Sequence, residues 1–289
     1  MNTLQIAGIQ MDITIGDIAG NLARMRSQIA RQAAAGAGLV IFPECSATGY
    51  CFSSREECLA VAEPVGSGIT ESMTSYCRDA GVHAVFGMVE RDGDRLFNVV
   101  VLTGPQGVRS VYRKVHLPYL GLDMQTTPGD RPFEVVDVDG VKIGLNICYD
   151  SAFPESSRCL ALLGADLIVL PTNWPPGAEC LARTTIATRA MENAVYYAAI
   201  NRVGDERGFH FIGRSSICSP DGSELAVAES TGEQVLTATI DTDRSRRKHF
   251  IRVPGTHEID RMADRRPEMY GLLTQQHNLP TPRDRHRPK

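Results

Sequence analysis

The 289-residue chain has a single tryptophan and little charge of either sign in excess, with 30 Lys and Arg against 34 Asp and Glu for a formal net charge of −4. No run of about 18 apolar residues occurs, so no membrane-spanning helix is expected. The mild charge argues against nucleic acid or an anionic membrane as the main partner. The N-terminus enters a strand directly at Leu4-Gln5-Ile6-Ala7-Gly8-Ile9-Gln10, with no basic stretch followed by an apolar one, so no secretory leader is expected. Paired Cys-x-x-Cys spacing is also missing around Cys45, Cys51 and Cys58, which argues against a zinc site or any other metal. Eight cysteines without a leader read as reduced thiols in a cytoplasmic protein. No internal repeat, low-complexity block or long linker divides the chain.

At 43% hydrophobic, a chain of this length can bury a large core. Helical and strand periodicities alternate along it. Asn21 to Ala34 reads as a helix with Leu22, Met25 and Ile29 on one face, and Ile69 to Ala80 as a second with Met73, Tyr76 and Cys77 inward. Strands are expected at His83–Val89, Phe97–Leu102, Val108–Arg113, Asp166–Leu170, Val195–Asn201 and Ile212–Cys218. Further helices are expected over Ser156–Leu163 and Leu181–Asn193. This is a single α/β domain over residues 1–279. The Pro- and Arg-rich segment 280–289 is expected to be a mobile or partner-draped tail.

Three segments end on chemically active side chains. Gly144-Leu145-Asn146-Ile147 delivers Cys148 to a sharp turn, with a helix beginning at or just after Pro154. Gly38-Leu39-Val40-Ile41-Phe42-Pro43 delivers Glu44, and Val108 to Arg113 delivers Lys114. Singly, each has a bland reading: a core cysteine, a helix-capping glutamate, a solvated lysine. Together, a thiol, a carboxylate and an ammonium at three strand ends are the parts of a nucleophilic hydrolase.

Their surroundings resemble the nitrilase superfamily, the carbon–nitrogen hydrolases that use a Glu-Lys-Cys triad. Phe42-Pro43-Glu44 with Thr48-Gly49-Tyr50 is similar to the family's glutamate segment. Tyr112-Arg113-Lys114-Val115-His116-Leu117, followed by Pro128-Gly129-Asp130, is similar to its lysine segment. Ile147-Cys148-Tyr149-Asp150 with Phe153-Pro154-Glu155 is similar to its nucleophile segment. Leu170-Pro171-Thr172-Asn173-Trp174-Pro175 and Arg189-Ala190-Met191-Glu192-Asn193 complete a set that runs, in the family's order, to about Asp241.

The resemblance implies a four-layer α-β-β-α sandwich and a thioester on Cys148, with Glu44 moving protons and Lys114 at the oxyanion beside the backbone N–H of Tyr149. Losing one such donor typically costs about 100- to 1,000-fold in rate. It implies no cofactor, and a homodimer or larger homo-oligomer.

One departure matters. Many members carry a second glutamate between the lysine and the Pro-Gly turn, where this chain has none; Asp123 is the nearest carboxylate, either a substitute or a loop residue facing water. Glu134 is expected to be structural, as is His116.

Tyr149-Asp150 is more like the amidase and carbamoylase branches than the Trp-Glu of true nitrilases. No arginine stands two to four residues after Cys148 to clamp a substrate carboxylate. A small amide or carbamoyl compound is therefore the expected substrate. Nitrile hydrolysis, acyl transfer and a low-activity scaffold are the alternatives. Tyr50, Tyr119, Asn173 and Trp174 are candidates for the pocket wall, packing being the alternative for Trp174. Arg158 is expected to be a helix-surface or packing residue, and Glu192 to brace the helix near the site. The basic stretch from Arg244 through Arg246, Arg247 and Lys248 to Arg252 is expected to form a solvated turn or a subunit contact.

Overall fold

The computed structural model describes residues 2–229 and 231–286. The chain opens with β1 (Thr3–Gln10), α1 (Ile18–Ala34), β2 (Leu39–Ile41), α2 (Arg55–Val61) and α3 (Gly68–Ala80). An antiparallel ribbon follows: β3 (His83–Asp92), β4 (Arg95–Gly104) and β5 (Gly107–Arg113). The second half runs through β6 (Val135–Val138), β7 (Val141–Leu145), α4 (Pro154–Leu162), β8 (Leu167–Thr172), α5 (Ile186–Asn193) and β9 (Tyr196–Asn201). A two-residue hairpin, β10 (Asp205–Glu206) and β11 (Phe209–His210), precedes β12 (Ser216–Cys218), β13 (Glu224–Val227) and β14 (Gln234–Asp241). Short α6 (Thr242–Arg246), the hairpin β15 (His249–Val253) and β16 (His257–Asp260), and α7 (Pro282–Arg285) end the described chain.

Two six-stranded sheets result, ordered β14-β1-β2-β3-β4-β5 and β13-β12-β9-β8-β7-β6. Within β1 the two faces separate by alternation: Leu4 and Ile6 join a core shared with β7, β8 and β9 of the other sheet, whereas Ala7 and Ile9 pack with Met25, Ile29 and Met73 of α1 and α3. The central strands are buried on both faces, which explains their near-continuous apolar sequences. Helices α4 and α5 cover the second sheet. The layers are therefore α-β-β-α, the sandwich expected from the sequence.

Several boundaries differ from expectation for local reasons. Helix α1 starts at Ile18 because the Asp17 side chain caps it, accepting from Gly20 N at 3.0 Å. The expected strand from Ile212 is only Ser216–Cys218, because Gly213 and Arg214 both take positive φ, 62° and 57°, which no strand tolerates. Helix Leu181–Asn193 opens with a π-helical turn over Leu181–Thr185. Strand β14, unforeseen in the sequence, pairs with β1 through eight residues, from Thr3↔Asp241 to Gln10↔Gln234.

Around the tail, Arg283 of α7 donates to the backbone carbonyls of Asp123 and Thr126, and His286 stacks on Tyr119 at 4.7 Å between ring centres. Residues 287–289 of the expected tail lie outside the described residues. No helix among the described residues is long and apolar enough to cross a membrane.

Candidate active site

Strands β2, β5 and β7 all end on the same edge of the sandwich, and the three expected residues follow them. Parallel strands place their C-terminal ends together, which is where open α/β sheets build sites. Glu44 lies just beyond β2, and the turn that holds it presses on β3 at Gly87. A Cβ there would collide with the Cys45 backbone nitrogen, so only glycine permits that approach. Lys114 directly follows β5, its backbone N–H bonded to the Asn98 carbonyl on β4 at 2.9 Å.

Cys148 follows β7 at the opening of a 3-10 turn, Cys148–Ala152, with φ at +44°. That left-handed conformation costs a residue with a Cβ on the order of 1 kcal/mol or more, and it persists because the surroundings hold it. The holding group is Asp150, fully buried. Its carboxylate accepts from Ile147 N (2.9 Å), Tyr112 Oη (2.9 Å) and His116 N (3.1 Å), and pairs with the His116 ring at 2.7 Å. His116 also stacks on Phe153. Arg189 reaches the same turn, donating to Ser151 O at 3.1 Å while paired with Glu192 at 3.0 Å. The Tyr149 N–H stands at the start of the 3-10 turn, where no helical carbonyl precedes it to accept.

Lys114 is completely buried between two carboxylates: Glu44 Oε1 at 2.7 Å and Asp123 Oδ2 at 2.6 Å. Asp123 sits on a 3-10 turn, Gly121–Met124, and is itself fully buried, so it is not a water-facing loop residue. Tyr50 Oη donates to Asp123 Oδ2 at 2.8 Å, and the Lys114 ammonium lies 5.9 Å from the Tyr50 ring centre. An ammonium has three N–H donors. Two are committed to the carboxylates, and the third has no hydrogen-bond partner among the described residues.

Electrostatics follow from this burial. The Lys114 pKa is held well above its ordinary value: loss of water works against the charge, but Asp123 and Glu44 more than offset it. Burial raises the Glu44 carboxyl, only partly opposed by Lys114. The Cys148 thiol is pushed up to about 12, first by burial and then by the Glu44 charge, against the pull of Lys114, the Thr172 side chain and the Asn173 N–H. The pull of the ammonium is outweighed by burial, which favours the thiol over the thiolate.

The pocket candidates divide. Tyr50 belongs to the charged cluster. Asn173 and Trp174 are both 1% exposed at the end of β8, with Trp174 inside the core between the sheets. Tyr119 is 38% exposed and turned to the tail. Glu134 accepts from Ser110 Oγ at 2.6 Å, away from the cluster. Arg158 donates to Glu192 O at 2.9 Å, and Arg246 pairs with buried Asp166 at 2.7 Å. Among the described residues no cluster of His, Cys, Asp or Glu has metal-ligand geometry.

Two site residues were missed in the sequence. Asn98 on β4 is 1% exposed and donates to both Glu44 and Asp123. Arg202, fully buried beyond β9, pairs with Glu206 at 2.7 Å. Glu206 in turn accepts from Tyr50 N at 2.9 Å and Cys51 N at 2.5 Å, which fixes Tyr50. One signal could have found Asn98 and flags the buried end of β9 beside Arg202. A polar side chain embedded in an apolar strand, as in Leu96-Phe97-Asn98-Val99-Val100 or after Tyr196-Tyr197-Ala198-Ala199-Ile200, must be satisfied internally.

Comparison with known proteins agrees with this architecture. The carbon-nitrogen hydrolase family model matches residues 5–249. A protein named nitrilase from Pyrococcus abyssi is 40% identical over 268 residues, spanning 92% of this chain and 99% of its own. An (R)-stereoselective amidase from a Pseudomonas species is 33% identical over 274 residues, spanning 94% and 95%. The crystal structure of an amidase from Nesterenkonia sp. superposes with a TM-score of 0.77 at 25% identity, covering 93% of this chain and 96% of that one. With the family model matching most of its length and relatives of this identity spanning nearly all of it, the chain belongs to the carbon–nitrogen hydrolases of the nitrilase superfamily, enzymes of non-peptide carbon–nitrogen bonds.

Proposed function

We propose that the protein hydrolyses small amides or N-carbamoyl compounds through a thioester on Cys148, with Glu44 as the proton carrier and Lys114 and the Tyr149 N–H as oxyanion donors. The observation that carries this reading is the state of Glu44. Its Oε1 is engaged by Lys114, while its Oε2 is buried with no hydrogen-bond partner among the described residues. An unpartnered buried carboxylate oxygen costs free energy, and a role as proton acceptor accounts for its being kept.

Because the thiol rests protonated, Glu44 takes its proton as Sγ attacks the carbonyl carbon. The carbonyl π electrons move to oxygen, where the free Lys114 N–H and the Tyr149 N–H receive the charge. Collapse of this intermediate breaks the C–N bond; Glu44 returns the proton to nitrogen, and ammonia or an amine leaves. Water then enters, gives a proton to Glu44 and adds to the thioester. The second collapse expels the Cys148 sulfur, which regains its proton from Glu44, and the acid is released. No step calls for a redox change.

Asp123 serves in this scheme as the second carboxylate, holding Lys114 in place. Asp123→Asn is expected to lower kcat/KM by roughly 10- to 100-fold, with most of the change in kcat, since it removes one of two charges that fix the ammonium. Steady-state kinetics check this; an unchanged kcat/KM would assign Asp123 to packing alone.

Ammonia release from small amides, N-carbamoyl amines, ω-amides and nitriles tests the substrate class. Release from amides or carbamoyl compounds supports the proposal. Release from nitriles alone would favour the reading suggested by the name of the Pyrococcus relative.

A further inference from the structure

Two carboxylates flank Lys114, yet the proposed chemistry needs the travelling proton on only one of them. The hydrogen bonds around them are unequal. Asp123 accepts from Asn98 Nδ2 at Oδ1 (2.9 Å) and from Lys114 Nζ (2.6 Å) and Tyr50 Oη (2.8 Å) at Oδ2. Glu44 accepts from Asn98 Nδ2 (2.7 Å) and Lys114 Nζ (2.7 Å), both at Oε1, and among the described residues from nothing at Oε2. An oxygen that already accepts from an ammonium and an amide is a poor site for a proton, and an oxygen with no donor is a good one.

The Asn98 amide is the one neutral group that touches both carboxylates, and its orientation is fixed from behind. Cys45 Sγ lies 3.5 Å from Asn98 Oδ1, so the thiol can donate to the side-chain carbonyl oxygen. Flipping the amide would set its oxygen against two carboxylates, which electrostatics forbids.

We propose that Asn98 is a positioning residue for the hydrolysis: by donating to Asp123 Oδ1 and Glu44 Oε1 together, it confines the travelling proton to Glu44 Oε2. This rests on the proposed role of Glu44. Asn98 touches neither the nucleophile nor the expected ligand position and acts only through the two carboxylates. The charged groups that act on Glu44 are Lys114 at the end of β5 and Asp123 on its 3-10 turn, and Glu44 in turn acts on the Tyr50 hydroxyl and the Cys45 and Cys148 thiols. Among the described residues, none of these is a neutral group that donates to both carboxylates as Asn98 does.

The test is the pH dependence of kcat/KM for a small amide in wild type, Asn98→Leu, Asn98→Asp and Glu44→Gln. Asn98 lowers the Glu44 pKa by donating to it, so its loss raises that pKa, and a base is lost from its active form at higher pH. The acidic limb of the profile is expected to move up by about one pH unit in Asn98→Leu and by at least as much in Asn98→Asp, which sets a third carboxyl group between the other two. The rate at the optimum is expected to fall at least about tenfold, with KM changed less than about threefold. A role in packing alone could lower the rate but would leave the limb in place. A limb unmoved within about 0.3 units in whichever variant folds overturns the proposal. Glu44→Gln separates the two levels. If its residual activity keeps the same acidic limb, the reading of Glu44 fails; if the limb vanishes there but is unmoved in the Asn98 variants, only the role of Asn98 fails.

Discussion

Cys148→Ala is expected to lower kcat for amide hydrolysis by at least about 10,000-fold while leaving the protein folded. The loss corresponds to roughly 5–6 kcal/mol of transition-state stabilisation. It is large because the proposed mechanism forms the acyl intermediate on Cys148 alone; removing a nucleophile from a working set leaves only binding and oxyanion contacts. Folding should survive for a structural reason. Alanine keeps the Cβ, so the cost of the +44° backbone is unchanged, and the Asp150 bonds that hold the turn use none of the Cys148 side chain. Steady-state kinetics with a thermal melt check both halves. A variant retaining even about 1% of the wild-type rate would mean that another group carries the acyl chain.

Lys114→Met is expected to damage both activity and stability, with the stability loss depending on pH. Methionine roughly fills the volume but leaves Glu44 and Asp123 facing one another, fully buried, without a cation. Removing one partner of a buried charged set typically costs about 3–5 kcal/mol. The sign of the pH effect follows from proton counting. Glu44 is already raised in the folded protein, and without Lys114 it rises further. A carboxyl whose folded pKa exceeds its unfolded value gives stability that is present at low pH and is lost as pH rises through the folded pKa. Relative to wild type, the variant should therefore be least deficient in melting temperature near pH 5 and most deficient near pH 8. Equal deficits at both would mean the carboxylates find other partners. Catalysis should fall at least about 1,000-fold through loss of the proposed oxyanion donor and of the geometry it imposes on Glu44.

Glu44 and Cys148 were legible because β2 and, apart from Lys142, β7 are buried and read as apolar runs that stop on a reactive side chain. Lys114 follows β5, an edge strand with Val108 and Arg109 exposed, and was legible from its family-like segment Tyr112 to Leu117. Strand β14 was not, because it is an edge strand. Its burial alternates between covered and exposed, and its Thr and Gln residues blur the apolar face. Asp123 stood open between two readings because its burial has no local cause: Tyr50, Asn98, Lys114 and Arg283, distant in sequence, converge on a short 3-10 turn. The protonated thiol was hidden for a similar reason. Sequence shows that an ammonium is available, but only packing decides whether its pull exceeds the cost of burial. Arg202 and Glu206 are four residues apart, an unremarkable spacing outside a helix; that they brace Tyr50 depends on the turn between β9 and the β10–β11 hairpin.

The central claim, a thioester on Cys148, is tested most directly by acid-quenching the enzyme within its first turnover of a small amide and mapping peptides by mass spectrometry alongside ammonia release. The predicted result is an acyl adduct on the Cys148 peptide, labile to hydroxylamine, together with ammonia approaching one equivalent per active site. A full equivalent of ammonia with Cys148 unmodified, or an adduct on any other of the eight cysteines, would contradict it.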